Sequence, residues 1–229
     1  MKRSIDIIIS LVVIFLGFPL ILTVLVLDFT IMTLTSILSG SLPDKHFLIN
    51  NSPLFLQSRA VSSNSKEIKI YKIRTIVESG MFTEKHAKSS QILNHEEHIR
   101  YVPLFCKWLR KSGIDEIIQV LNVLKGEMSL VGPRPLVLNE LKLIKQREPE
   151  LYKRRETINS LPGITGLWQI YGDREKGINN LIELDEYYEK NKSFLLDMKI
   201  IFNTIIVMIT ASHSDAVIRK PKIYKTAKA

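Results

Sequence analysis

From Ile5 to Leu27 the chain is an apolar run, broken only by Asp6 near its edge and by small or hydroxyl-bearing residues and one proline. That is enough to cross the hydrocarbon of a bilayer as a helix. Three paths are open to such a run. A cleaved signal peptide would end at a small-residue cleavage site, and none closes it. A straight transmembrane anchor fits the length. The third path follows from Gly17-Phe18-Pro19 at its middle. Proline removes a backbone hydrogen bond and its ring clashes with the preceding turn, so a helix broken at Pro19 can turn back and leave both ends on one face. Lys2 and Arg3 precede the run, and the positive-inside rule keeps them cytoplasmic. A true crossing would therefore carry everything after Asp28 to the far side.

The 229 residues are enough for one domain with appendages and a sizeable core. The net charge of +9 calls for an anionic partner: nucleic acid, anionic lipid or a phosphorylated substrate. A single cysteine, Cys106, excludes an internal disulfide framework and fits a reducing compartment. It adjoins Lys107 and Trp108; a packed core thiol is the ordinary reading and a reactive one the sharper alternative. The five histidines form no HExxH pattern, and Glu96-Glu97-His98 reads as a solvated helix turn rather than a zinc site.

The densest chemistry lies between Cys106 and Leu136, CKWLRKSGIDEIIQVLNVLKGEMSLVGPRPL. Ile114, Ile117, Ile118, Leu121 and Leu124 recur at helical spacing, which predicts a helix with one buried stripe. Ser112 fits its N-cap and Gly126 its C-terminal stop. Two adjacent carboxylates, Asp115 and Glu116, open this helix among Lys107, Arg110, Lys111, Lys125 and Arg134. On one account they are ordinary first-turn acids favoured by the helix dipole. On the other they are a reacting pair, one as nucleophile or metal ligand and the other as base. Beyond them, Gly132-Pro133-Arg134-Pro135 displays one arginine on a stiff turn.

The segments YKIRT, LRKSGIDEIIQVLNVLKGEMSLVGPRPLV and LPGITGLWQIYG resemble the bacterial sugar transferase family. These are monotopic phosphoglycosyl transferases, which move a sugar-1-phosphate from a nucleotide sugar onto a polyprenyl phosphate. The match runs nearly the whole chain in order. It implies an α+β, mostly helical fold: a re-entrant membrane helix over residues 1–30 kinked at Pro19, a small β-hairpin, and a helical catalytic domain with interfacial helices. The catalytic domain would span 53–211 at the cytoplasmic face of the inner membrane, preceded by an interfacial or loop extension over 31–52 and followed by a basic tail over 212–229.

The resemblance further implies Asp115 and Glu116 as catalytic residues, with Mg2+ or Mn2+ held partly by Asp115. Lys72 and Arg74, two apart on a predicted strand over Ile68–Thr75, would hold phosphate or the acidic pair. Arg110 would orient that pair and Arg134 would grip a phosphate. Gly163, Thr165 and Gln169 belong to a glycine-rich bend that can approach a phosphate or stack a base. Asp185, in a helix ending near Asn191 where the family also carries an acid, would join the substrate- and phosphate-binding residues. Partners would be a nucleotide sugar (a UDP-sugar), polyprenyl phosphate and membrane lipid, with a homodimer or biosynthetic complex possible and no nucleic acid. The chain departs from the family at Phe18, at Ser62–Ser65 and at Leu161, where serine, glycines and a basic residue are usual. A non-catalytic basic scaffold, a nucleic-acid binder and an inactive family member are the alternatives.

Three other segments complete the reading. Leu136–Glu156 reads as a charged helical region broken near Pro149, its cations on a solvated face or a lipid-facing patch. Glu78–Ile99 is a polar surface segment with no assigned chemistry. Phe194–Ala211 reads as an interfacial or core-packing helix.

Overall fold

The apolar run folds as the first part of one long helix, α1 (Lys2–Leu38), with Pro19 inside it. The computed structural model describes residues 2–38, 54–61, 66–75 and 104–211. The Ser62–Ser65 turn, residues 39–52 of the expected extension, Glu78–Ile99 and the 212–229 tail lie outside them. Between Lys2–Pro19 and Leu22–Ile31 the axis of α1 bends by 51°. The missing N–H of Pro19 weakens the ladder there, and the Thr23 hydroxyl donates back to the Pro19 carbonyl at 2.8 Å, a contact that favours bending. Neither limb alone is long and apolar enough to cross a membrane; the bent pair together reaches that length. The helix does not stop at residue 30 but runs on to Leu38.

The predicted hairpin forms. β1 (Leu54–Ala60) and β2 (Ile68–Ile73) pair antiparallel, Leu54 opposite Ile73 and Arg59 opposite Ile68. β2 ends one residue before Arg74, so only Lys72 of the expected cation pair is a strand residue. Two pairings join residues distant in the chain. β4 (Leu136–Val137) lies antiparallel on the other edge of β1, and β3 (Ser129–Val131) lies parallel to β5 (Gly163–Thr165).

The remaining elements are helical. α2 (Leu104–Ser112) leads through a 3-10 turn (Ile114–Gln119) into α3 (Val120–Lys125). α4 (Leu138–Arg147) and α5 (Pro149–Glu156) meet at Glu148-Pro149, because proline cannot continue a helix but is tolerated at its first position. After α6 (Leu167–Tyr171) come a 3-10 turn (Arg174–Lys176), α7 (Gly177–Asn191) and α8 (Phe194–Ile209). The core gathers around α7, whose Leu181, Ile182, Leu184 and Tyr188 join a buried cluster with Met128, Val131, Ile144, Trp168 and Ile200. The described residues are thus mostly helical, with two small sheets.

Gly163 of β5 lies very close to Gly132, just past the end of β3. A Cβ on Gly163 would stand 2.1 Å from the Gly132 nitrogen and 2.3 Å from the Thr165 carbonyl oxygen. Both are backbone atoms that cannot swing aside. Gly163→Ala is expected to cost about 1–3 kcal/mol, read as a lower denaturant midpoint at unchanged slope.

α5 is tied to α7 by Arg154, whose Nε and Nη2 each donate to one carboxylate oxygen of Glu186 at 2.9 Å. That bond holds the Glu186 carboxyl below its ordinary 4.5. A depressed folded-state pKa stabilises the fold above the ordinary value, and the contribution disappears as pH falls through the depressed one. Glu186→Gln is therefore expected to lower the melting temperature modestly near neutrality. Its difference from the parent protein should close on acidification, which thermal unfolding across pH will read.

Candidate active site

Ser112 does not open the acidic helix; it closes α2. Its hydroxyl donates to the Leu109 carbonyl at 3.0 Å, and Gly113 follows in a left-handed conformation, φ 76°, that a side chain would resist. This reversal starts a 3-10 turn instead of the expected α-helix, with Glu116 N–H donating to Gly113 O at 3.1 Å. At three residues per turn the apolar stripe no longer keeps one face. Leu121 is exposed, and the buried positions of this stretch include Asp115, Glu116, Gln119 and Asn122. Gly126 does end α3 in a left-handed conformation, φ 82°.

The acids are therefore not solvated capping residues: Asp115 is 3% exposed and Glu116 9%. Lys72, reaching over from β2, places its ammonium 3.1 Å from Asp115 Oδ2 and 2.7 Å from Glu116 Oε1. Burial works against that ammonium, yet the two carboxylates more than offset it and raise Lys72 above its usual 10.5. Burial also pushes the Asp115 carboxyl above the ordinary range. Lys72 opposes this, Glu116 adds to it, and the charge of Arg110 on α2 opposes it again. One lysine thus holds two carboxylates that would otherwise repel each other out of water. Arg74 is half-buried just past the end of β2.

Arg134 is positioned through its backbone. Its N–H reaches both carboxylate oxygens of Asp185, at 3.3 and 3.2 Å, and its carbonyl accepts from Arg155 Nη2. Arg155 also donates to Asp185 through Nη1, and through Nε to the Val61 carbonyl just past β1 at 2.7 Å. Burial raises the Asp185 carboxyl, and the Arg155 guanidinium pulls it back. The solvated face expected for the Leu136–Glu156 cations is corrected at Arg155, which is wholly buried. Nothing in Lys153-Arg154-Arg155 marks the third cation as different.

Gly163 spends its N–H on the Pro133 carbonyl at 2.9 Å, bracing the Pro-Arg-Pro turn. The Thr165 and Thr204 hydroxyls lie 2.7 Å apart, joining β5 to α8. The Gln169 carboxamide is buried, and neither of its polar atoms meets a partner among the described residues. No cluster of three or more metal-ligating side chains occurs among the described residues. Finally, Val24 of the second α1 limb packs in a cluster with Ile73 and Leu109, with Leu25 and Ile114 against it. The bent helix thus touches the neighbours in sequence of Lys72 and Asp115.

The family model for bacterial sugar transferases matches residues 1–211. The chain belongs to the bacterial sugar transferase family. Similar members include the exopolysaccharide production protein ExoY of Rhizobium meliloti, 31% identical over 217 residues that cover 89% of this chain and 83% of that one. An uncharacterized sugar transferase of Haemophilus influenzae is 37% identical over 154 residues, 67% of this chain but only 30% of that protein. The undecaprenyl-phosphate galactose phosphotransferase of Salmonella typhimurium is 38% identical over 103 residues, 45% of this chain and 20% of that one. Sugar transferases of this family thus share with the chain the segment that carries its buried acids, within a match that extends from α1 to the end of α8.

Proposed function

We propose that this sugar transferase moves a sugar-1-phosphate from a UDP-sugar to undecaprenyl phosphate. The products are the polyprenyl diphosphate sugar and a nucleoside monophosphate. The observation that carries the reading is the pair of buried carboxylates held by one ammonium, Asp115 and Glu116 at Lys72. In the first step an Asp115 oxygen attacks the phosphorus bearing the sugar. The bond from that phosphorus to the bridging oxygen breaks, and the nucleoside monophosphate leaves. In the second, a phosphate oxygen of the lipid attacks the aspartyl phosphorus, and the Asp115 carboxylate is regenerated. Glu116 orients the incoming lipid phosphate and takes up its proton where one is carried.

Positioning and charge supply most of the catalysis of phosphoryl transfer. Lys72 and Arg110 oppose the upward push that burial gives the Asp115 carboxyl, and Arg134 meets the donor phosphates from its braced turn. The acidic pair fits a magnesium ion, which binds through one or two carboxylates plus substrate phosphates. Asp115, with Glu116 beside it, would hold that ion, and it would offset the negative charge of the diphosphate.

The geometry of α1 suits an acceptor that lives in lipid. Its first limb is about 27 Å long at 1.5 Å per residue. With both ends of the bent helix at the surface, the 51° bend lowers the apex by roughly 10 Å, which stays within one leaflet of a core about 30 Å thick. Phe15 and Leu16, near that apex, are 83% and 72% exposed, a large cost in water and none in hydrocarbon. The outward side chains of α8, including Leu195, Phe202 and Ile209, extend the apolar surface. We therefore read the chain as monotopic, its domain on the cytoplasmic side where nucleotide sugars are found.

Membranes carrying the protein, given a panel of radiolabelled nucleotide sugars with undecaprenyl phosphate and magnesium, should transfer label from one donor into lipid. Absence of lipid label from every donor, with folded protein present, would overturn the reading.

A further inference from the structure

The first turns of α1 do more than lead into an apolar run. Asp6 is buried, and its carboxylate accepts from the Ser129 hydroxyl at 2.8 Å and from the Leu130 N–H at 3.3 Å. Lys2 donates to Asp197 Oδ2 at 2.6 Å, to the Tyr188 hydroxyl at 2.8 Å and to the Val131 carbonyl at 3.0 Å. Arg3 donates to the Val123 and Leu124 carbonyls at 2.6 and 3.1 Å, satisfying the C-terminal end of α3, where a cation is favoured by the helix dipole. All three residues thus bond the segment 123–131, which joins the acidic turn to Pro133-Arg134-Pro135. Among the described residues β3 has one strand partner, β5. On its other side Asp6 does what a neighbouring strand would do for the Leu130 N–H. The charges that a hydropathy reading assigns to membrane orientation are spent on the catalytic domain.

We infer that Lys2, Arg3 and Asp6 form a latch of positioning residues. The latch fixes β3 and the end of α3 against the membrane helix, so that seating α1 sets the distance between the acidic pair and the Arg134 turn. The same helix touches the other side of the site through Val24, beside Ile73 and Leu109. The helix and the reacting groups are therefore one mechanical unit, held at two points along α1. The inference rests on the reading of Asp115 and Arg134 as the reacting site. None of the latch residues touches substrate in this account, so they act on rate through geometry.

The test uses the full chain in membranes and compares Asp6→Ala with Asp6→Asn. Alanine leaves the Ser129 hydroxyl and the Leu130 N–H without their acceptor. Asparagine keeps an oxygen for the Leu130 N–H, and its amide can donate to the Ser129 oxygen. Asp6→Ala is expected to float with membranes as the parent does and to keep its KM for the nucleotide sugar. Its kcat should fall about tenfold or more, and Asp6→Asn should recover most of that loss. Hydrogen exchange adds a readout independent of turnover: in Asp6→Ala the Leu130 amide should exchange faster while amides of α7 stay protected. Unchanged kcat and unchanged Leu130 exchange in Asp6→Ala would overturn the latch. So would a kcat loss no larger than the loss of folded, membrane-bound protein. Asp115→Asn, assayed alongside, separates the two ideas. Full activity there defeats the reacting-site reading, whereas exchange at Leu130 still judges the latch.

Discussion

Asp115→Asn is expected to abolish transfer, by a factor of about a thousand or more, while the protein still folds and still binds membranes. An amide of the same shape cannot form the aspartyl phosphosugar, so neither covalently labelled protein nor labelled lipid should appear. Folding should survive because the substitution removes one of two buried negative charges. Lys72 keeps Glu116 as its partner at 2.7 Å, and the repulsion between the acids is relieved. A melting temperature equal to or above that of the parent, together with lost turnover, is the signature expected of a reacting group whose placement costs stability. Full turnover in the amide variant would remove Asp115 as nucleophile. Glu116→Gln is the useful companion: label should still load onto Asp115 but pass slowly to the lipid.

The largest effect on stability is expected at Arg155. It is wholly buried, and its guanidinium joins the chain just past β1, the Arg134 carbonyl and the Asp185 carboxylate. Arg155→Met would leave Asp185 buried without its guanidinium partner and remove the Arg155 donors from the Val61 and Arg134 carbonyls. Breaking one side of a buried ion pair costs about 3–5 kcal/mol, enough to consume much of the stability of a domain this size. Chemical denaturation of the purified protein should show that loss directly. The double variant Arg155→Met with Asp185→Leu should recover much of it, since no lone charge then remains. It should not recover activity, because the N–H and carbonyl of Arg134 are both left without these partners and the turn no longer presents its arginine in one orientation. Equal stability of Arg155→Met and the parent protein would show that the guanidinium is not paired as described.

The resemblance carried to Asp115, Glu116, Lys72 and Arg134 names residues that the structure holds in two tight groups. Lys72 with Asp115 and Glu116 is one, and Arg134 with Asp185 the other. Asp185 was expected as a phosphate contact. It instead sits at the back of the Arg134 turn, with its oxygens turned to Arg134 N–H and Arg155. Gly163 similarly braces Pro133 with the N–H that a phosphate would need. Both revisions have one cause. A residue type and its spacing tell what chemistry it can do, but the partner that satisfies it comes from elsewhere in the chain. Arg155, Asp6 and Tyr188 went unassigned for the same reason, since no local pattern distinguishes a buried cation, acid or phenol from a solvated one.

Local features of the chain determined the bend at Pro19, the β1–β2 hairpin, the break at Pro149, the stop at Gly126 and the apolar character of α1 and α8. Each follows from sterics or periodicity within a few residues. The tertiary structure alone decided that Asp115 and Glu116 face inward, that Arg155 is buried and that Lys2 and Arg3, at the start of α1, bond to the segment 123–131. The desolvation of a charge and the counter-charge that offsets it depend on segments that are distant in the chain. Lys2 and Asp197 come from its opposite ends, and Lys72 and Glu116 from two segments 44 residues apart.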